Sequence, residues 1–171
     1  MIECSLMGLT DKADYHSYEF LYPDLLSKFD GSPINILEIG VGHGGGLKFL
    51  HDSFEQANIF GSDQTYSLLK VDLKTLPRVK LLPTSDQIDI NTNLLPKLDI
   101  VIEDASHQFK YSIQTFDRLK NSLNKGAIYI IEDVYPEFVN LYKKTRPEFV
   151  LHDLSQIKNR NDDRCAVYVN L

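Results

Sequence analysis

The sequence predicts an α/β fold: a doubly wound, mostly parallel sheet of seven strands with an antiparallel strand at its C-terminal edge. Three observations carry that expectation. Short runs of apolar, β-branched residues recur, apolar at successive positions as in strands covered on both faces. Segments with helical spacing lie between the first five runs, and strand alternating with helix implies parallel crossovers. The last two runs are joined only by a polar stretch, which reads as a hairpin closing the sheet edge.

The elements follow in order. Residues 1–32 form an N-terminal helical segment, in which "DYHSYEFLYPDLLSKF" (14–29) reads as one or two short helices. Residues 33–171 form the core, so the chain is expected to be a single domain. Its strands are "INILEI" (34–39), "NIFGSD" (58–63), "VKLLPT" (79–84), "LDIVIED" (98–104) and "GAIYIIED" (126–133), followed by "EFVLHDL" (148–154) and "RCAVYVNL" (164–171). Its helices are "GLKFLHDSF" (46–54), "YSLLKVDLKTL" (66–76), "YSIQTFDRLKNSLNKG" (111–126) and "YPEFVNLYKKT" (135–145). Lys125-Gly126 is a good helix stop.

Composition narrows the function. The chain has 171 residues, 43% hydrophobic and 25% charged, which suits a globular protein. A net charge of −6 argues against a nucleic-acid or anionic-membrane partner, since both need clustered Lys and Arg. The first residues lack the basic and apolar regions of a signal peptide, and Cys4 and Cys165 make neither a framework nor a metal spacing. The expectation is a cytoplasmic protein with two reduced thiols.

Gly40, Gly42 and Gly45 satisfy G-x-G-x-x-G after a strand and before a helix, the context of a Rossmann-like nucleotide-binding loop. Missing Cβ atoms allow a tight turn and a close ligand. A pyrophosphate would sit at the helix N-terminus beside neutral or positive groups. Here Glu38 stands two residues before the first glycine, and a carboxylate suits a ligand with an ammonium group. S-adenosylmethionine has one, together with a sulfonium and no phosphate. Asp63, ending the second strand, would hydrogen-bond the ribose, with Gln64 beside it. His43 and Gly44 in the loop would meet the cofactor through the backbone. After the third strand, Ser85, Asp86 and Gln87 border the crevice; the polar pair Asp86–Gln87 reads either as an adenine contact or, for Asp86, as a helix cap.

The fourth strand ends in Glu103-Asp104 and the fifth in Glu132-Asp133. Acids at that density repel one another, and a divalent cation would relieve it. Oxygen ligands without Cys favour Mg²⁺ or a similar ion. Asp104, Glu132 and Asp133 are the expected ligands; strand alternation turns Glu103 to the opposite face. His107, three residues past Asp104, is placed to act as general base for an acceptor hydroxyl beside the cation.

These residues resemble a family. "TDKADYHSYEFLY" (10–22), "ILEIGVGHGG", "SDQID", "IEDASH" and "GAIYIIEDVYP" occur in the order seen in the metal-dependent sugar O-methyltransferases of macrolide and anthracycline-type antibiotic biosynthesis, the mycinamicin methyltransferase group. The likeness to cephalosporin-hydroxylase-like proteins is more distant. The resemblance implies the class I methyltransferase fold and Mg²⁺ held by Asp104, Glu132 and Asp133. It also implies His107 as base and Glu38 on S-adenosylmethionine. It brings Asp11, Lys12, His16, Tyr22 and Tyr135 towards the substrate. The chain departs from the family in Ala105, where Gly is usual, in Tyr111, where a second His often stands, and in its short length. The acceptor is therefore expected to be a small glycoside, a nucleotide-sugar or a glycan end, with homo-oligomerisation left open. Two alternatives remain: a non-catalytic cofactor-binding subunit or sensor, and an NAD(P)-binding oxidoreductase.

Overall fold

The computed structural model describes residues 10–171. Cys4 lies outside them. A short helix α1 (Asp11–Asp14) begins at Thr10, whose hydroxyl accepts the Lys12 N–H. A 3₁₀ turn (Tyr18–Phe20) and α2 (Tyr22–Leu26) follow. The core then runs β1 (Asn35–Ile39), α3 (Gly45–Ser53), β2 (Asn58–Ser62), β3 (Val79–Leu81), β4 (Leu98–Glu103), α4 (Phe109–Leu119), β5 (Leu123–Ile131), α5 (Pro136–Thr145), β6 (Val150–Asp153) and β7 (Arg164–Val169). Seven strands form one sheet in the order β3-β2-β1-β4-β5-β7-β6. The first five are parallel, and β7 pairs antiparallel with both β5 and β6. The hairpin therefore sits on the sheet edge as expected, but the last strand is inserted and β6 is the outermost. This is the class I methyltransferase fold.

Strand alternation divides the core. Ile36, Ile100, Ile102, Ile128 and Ile130 pack on one face with Tyr18, Tyr22, Leu47 and Phe49. Leu37, Ile39, Val101, Tyr129 and Ile131 pack on the other with Ile113, Phe116 and Tyr142. The registers pair Glu38 with Ile102 and Glu103 with Ile131. Glu38, Asp104 and Glu132 thus continue the first face, and Glu103 the second.

Three segments differ from the sequence expectation. Residues 66–76 are not helical, apart from a 3₁₀ turn at Leu73–Thr75. The Tyr66 hydroxyl lies 3.1 Å from the Gly61 carbonyl and 2.7 Å from that of Leu82, which ties the segment to the strand ends. Asp72 accepts the Lys74 N–H, and such local side-chain bonds compete with a helix. The helix expected to run to Gly126 ends at Leu119. Lys125-Gly126 lies instead within β5, where Gly126 takes φ +82° next to a register shift against β4. The third strand stops at Leu81, ahead of Pro83.

Candidate active site

The glycine loop is shaped first by the protein itself. A Cβ at Gly40 (φ +88°) would lie 1.9 Å from the Asp104 carbonyl oxygen, and one at Gly46 would lie 1.8 Å from Glu38 Oε1. Side chains are excluded there because β4's end and the Glu38 carboxylate already fill the space. Asp63 Oδ2 accepts the N–H groups of Val41 and Gly42, at 2.8 and 3.0 Å, and Oδ1 accepts that of Thr65. The residue expected on a ribose therefore also fixes the loop's curvature. Glu38 is buried, and its Oε2 has no partner. Burial, only partly offset by Lys12, pushes its carboxyl up to about 8.

Asp104, His107 and Asp133 each offer one ligand atom, all within 4.8 Å of one another. His107 Nδ1 is buried, lacks a hydrogen bond and lies 4.0 Å from Asp133 Oδ2. His107 (φ +54°) and Asp133 (φ +55°) both hold left-handed backbones that are uncommon outside glycine. At Asp133 this breaks the alternation of β5, so its carboxylate joins the Glu132 side. The Tyr18 hydroxyl donates to Asp133 Oδ1 (2.5 Å) and accepts the Asp133 N–H (3.0 Å). Burial and the neighbouring Asp104 carboxylate hold the Asp133 carboxyl above its usual range. An orphaned imidazole nitrogen between two carboxylates fits a divalent cation.

Glu132 is placed differently from the expected ligand. It accepts hydrogen bonds from Tyr22 Oη and from Lys12 Nζ (2.5 Å), and it is absent from the three-residue cluster. Burial raises its carboxyl to about 7, with Lys12 opposing. Lys12 also donates to Asp104 Oδ2 at 2.9 Å and lies 3.9 Å from Glu38 Oε1. Burial disfavours its charge, but the surrounding carboxylates outweigh that and raise its pKa. In return Lys12 holds Asp104 below the usual range, although the partial burial of Asp104 opposes this. Lys12 is thus held by acids at the cavity wall.

The segment carrying Lys12 is held by the β6–β7 loop. Asp163 Oδ1 accepts the Ser17 N–H (3.0 Å), Lys158 Nζ donates to the carbonyls of Ala13 and His16, and the Arg160 guanidinium stacks 3.4 Å from the Tyr15 ring. His16 Nδ1 lies 3.4 Å from Asp133 Oδ1. Of these anchors, Tyr18, Lys158, Arg160 and Asp163 had no role in the sequence reading. Tyr18 could have been found from its i, i+4 spacing to Tyr22.

One cavity of about 780 Å³ gathers most of the expected residues. The glycine loop, Glu38, Asp63 and Gln64 line it together with Ser85, Asp104, His107 and Asp133. Asp11 and Lys12 also face it. His43 is exposed at its rim and gives its carbonyl to the Lys70 N–H. Asp86 caps the 3₁₀ turn Gln87–Asp89, accepting the Ile88 N–H, and is not among the lining residues. Gln87 lines the cavity with its amide committed inward, to Glu103, Thr115 and the Ser106 N–H. Tyr135 packs edge-on to His107, with ring centres 6.4 Å apart. Among the described residues no helix is long and apolar enough to cross a membrane.

Comparison with known proteins gives no matching family model. The chain is 28% identical, over 149 residues, to the 8-demethyl-8-α-L-rhamnosyl tetracenomycin-C 2'-O-methyltransferase of Streptomyces olivaceus. It is 26% identical, over 136 residues, to the same organism's 8-demethyl-8-(2-methoxy-α-L-rhamnosyl) tetracenomycin-C 3'-O-methyltransferase. The matches cover 78% and 72% of this chain but only 38% and 34% of those proteins, so it spans little over a third of their length. Among solved structures, the MycE methyltransferase of the mycinamycin pathway, in complex with Mg, SAH and mycinamycin VI, superposes with a TM-score of 0.69 at 21% identity. That match covers 96% of this chain and 53% of MycE. The precorrin-6y C5,15-methyltransferase of Geobacter metallireducens matches with a TM-score of 0.61 at 14% identity, over 78% of this chain and 72% of the other. These structures share the fold.

Proposed function

We propose that the chain is an S-adenosylmethionine-dependent O-methyltransferase that uses a divalent cation and acts on a sugar hydroxyl. One observation carries the reading: a single cavity is lined both by the glycine loop with Glu38 and by Asp104, His107 and Asp133. The sugar methyltransferases among its relatives support the same reading.

In this reading Glu38 Oε2, buried without a partner, receives the cofactor's ammonium, and the arriving charge ionises a carboxyl that burial otherwise keeps protonated. Asp63 keeps the loop curved and would also accept the ribose hydroxyls. Asp104 and Asp133 would hold the cation, which would bind the acceptor hydroxyl and lower its pKa. His107 Nδ1, which has no partner in the protein, would take the proton released as the hydroxyl oxygen attacks the methyl carbon and the sulfur departs as a thioether. Asp11 and Tyr135, beside the cavity and His107, contact the acceptor. Asp11, Asp14, Asp63, Asp104 and Asp133 line the cavity, while Lys12, its one lining Lys or Arg among the described residues, is occupied by acids. That balance favours a neutral or amino-sugar glycoside over a nucleotide-sugar.

Calorimetry with S-adenosylhomocysteine and with NAD tests the cofactor; binding of NAD alone overturns the reading. Methyl transfer to a panel of neutral, amino and nucleotide sugars, with and without EDTA, tests the reaction. Cofactor binding with no transfer to any acceptor would instead make the chain a sensor or subunit.

A further inference from the structure

Gln87 is 4% exposed and fully engaged. Its Nε2 donates to Glu103 Oε1 at 3.1 Å and to Thr115 Oγ1 at 3.2 Å, and its Oε1 accepts the Ser106 N–H at 3.1 Å. The amide orientation follows from its neighbours, because a backbone donor meets one end and a carboxylate the other. Glu103, at the end of β4, is 1% exposed and Thr115, on α4, is fully buried, so both anchors lie in the core between strand and helix. On the far side of His107, Ser106 Oγ accepts the Gln108 N–H at 3.4 Å. His107 therefore sits between two tied residues, with its own backbone at φ +54°. A left-handed non-glycine residue persists where its surroundings over-determine it, and here those surroundings are two hydrogen bonds on its flanks.

We infer that Gln87, held by Glu103, is a positioning residue: it fixes the Ser106–His107 loop so that the imidazole faces Asp104 and Asp133. This rests on the proposed methyl-transfer reading for its kinetic test, but not for its geometric one. It assigns a role to the buried first acid of Glu103-Asp104, which meets neither the cation cluster nor the cavity. It also separates Gln87 from the adenine contact that its place after β3 suggests, since both ends of the amide are already taken.

The test compares Gln87→Leu, Glu103→Leu and Glu103→Gln with the wild type. Gln87→Leu is expected to lower kcat about 10- to 100-fold, the range typical of residues that orient a site's ligands, with S-adenosylhomocysteine affinity within about twofold of wild type. Glu103→Leu should fall in the same direction by less, because Thr115 still accepts from Gln87. Glu103→Gln keeps an acceptor for Nε2 and should return the rate towards wild type. Independently of turnover, the His107 imidazole resonances in the S-adenosylhomocysteine complex, assigned with His107→Gln, should shift in Gln87→Leu and not in Glu103→Gln. Weaker cofactor binding with kcat preserved in Gln87→Leu would make Gln87 an adenine contact and overturn the inference. If Gln87→Leu does not fold, equal rates and equal His107 resonances in Glu103→Leu and Glu103→Gln overturn it. A wild type without transfer activity defeats the enzyme reading, and the resonances then decide the positioning role alone.

Discussion

At the end of β4, Glu103 and Asp104 are parted by the strand's own alternation: Asp104 turns to the cavity and Glu103 enters the opposite core beside Gln87 and Thr115. At the end of β5, Glu132 and Asp133 stay together. Glu132 follows the alternation to Lys12 and Tyr22, and Asp133 leaves the strand through a left-handed residue that brings it to Tyr18 and His107. Two acidic pairs of one spelling thus yield three acids at the cavity face and one in the core. The backbone angle just past a strand's end, more than the residue type there, decides what a carboxylate meets.

The sharpest way to break this comparison is metal affinity. Asp104→Ala and Asp133→Ala should each remove most of the divalent-cation binding in a calorimetric titration, with S-adenosylhomocysteine affinity largely intact, because in the proposed reading Glu38 and Asp63 would hold that ligand from other strands. Glu103→Gln should leave the cation bound. Equal losses in all three would erase the distinction between the faces.

Stability comes next. Glu132→Ala removes the closest partner of buried Lys12 and strands the Tyr22 hydroxyl, so it should cost about 3–5 kcal/mol in urea denaturation. An unchanged midpoint would mean that Asp104 alone satisfies Lys12.

Glu103 makes a smaller, pH-dependent contribution. Burial raises its carboxyl from 4.5 to about 7, hydrogen-bonded neighbours opposing. Below 4.5 both folded and unfolded chains hold the proton. Between 4.5 and about 7 the unfolded chain releases it first, so this group lowers stability as pH rises and adds no further slope above. Glu103→Gln should therefore gain at most about 3 kcal/mol on wild type at pH 8 relative to its difference at pH 4.5. Parallel stability curves for the two proteins would refute the raised value.

The smallest effect belongs to Tyr18. Its hydroxyl both donates to and accepts from Asp133, so Tyr18→Phe should weaken cation binding about tenfold, or about 1.4 kcal/mol. No change in affinity would reduce Tyr18 to packing against His16 and Tyr22.

Much of this could be read from local pattern. Strand alternation alone separates Glu103 from Asp104, and the glycine loop with Glu38 follows from residues within one turn of chain. Two of the cluster's three residues, Asp104 and Asp133, are those expected as ligands, whereas His107, expected only as the base, joins them in place of Glu132. Glu132 could not be placed the same way, because its partner Lys12 lies 120 residues away and no periodicity links them. The clamp of Lys158, Arg160 and Asp163 on residues 13–17 is hidden for the same reason. Residues 66–76 misled because helical spacing of Leu and Lys is visible in sequence, whereas Tyr66 reaching two strand-end carbonyls is not.

That clamp has a consequence for how the molecule comes into being. Ser17 meets Asp163 across 146 positions of chain, and Lys12 meets Asp104 and Glu132 across 92 and 120. Closing such distances is slow, and a ribosome delivers the early partner long before the late one. While β1 to β4 are being made, Lys12 has none of these late contacts, and the acids at the strand ends are without their internal counter-ion. The clamp on the Lys12 segment cannot close until the β6–β7 loop has emerged, so the cavity that this segment borders is completed late, by residues that do not line it.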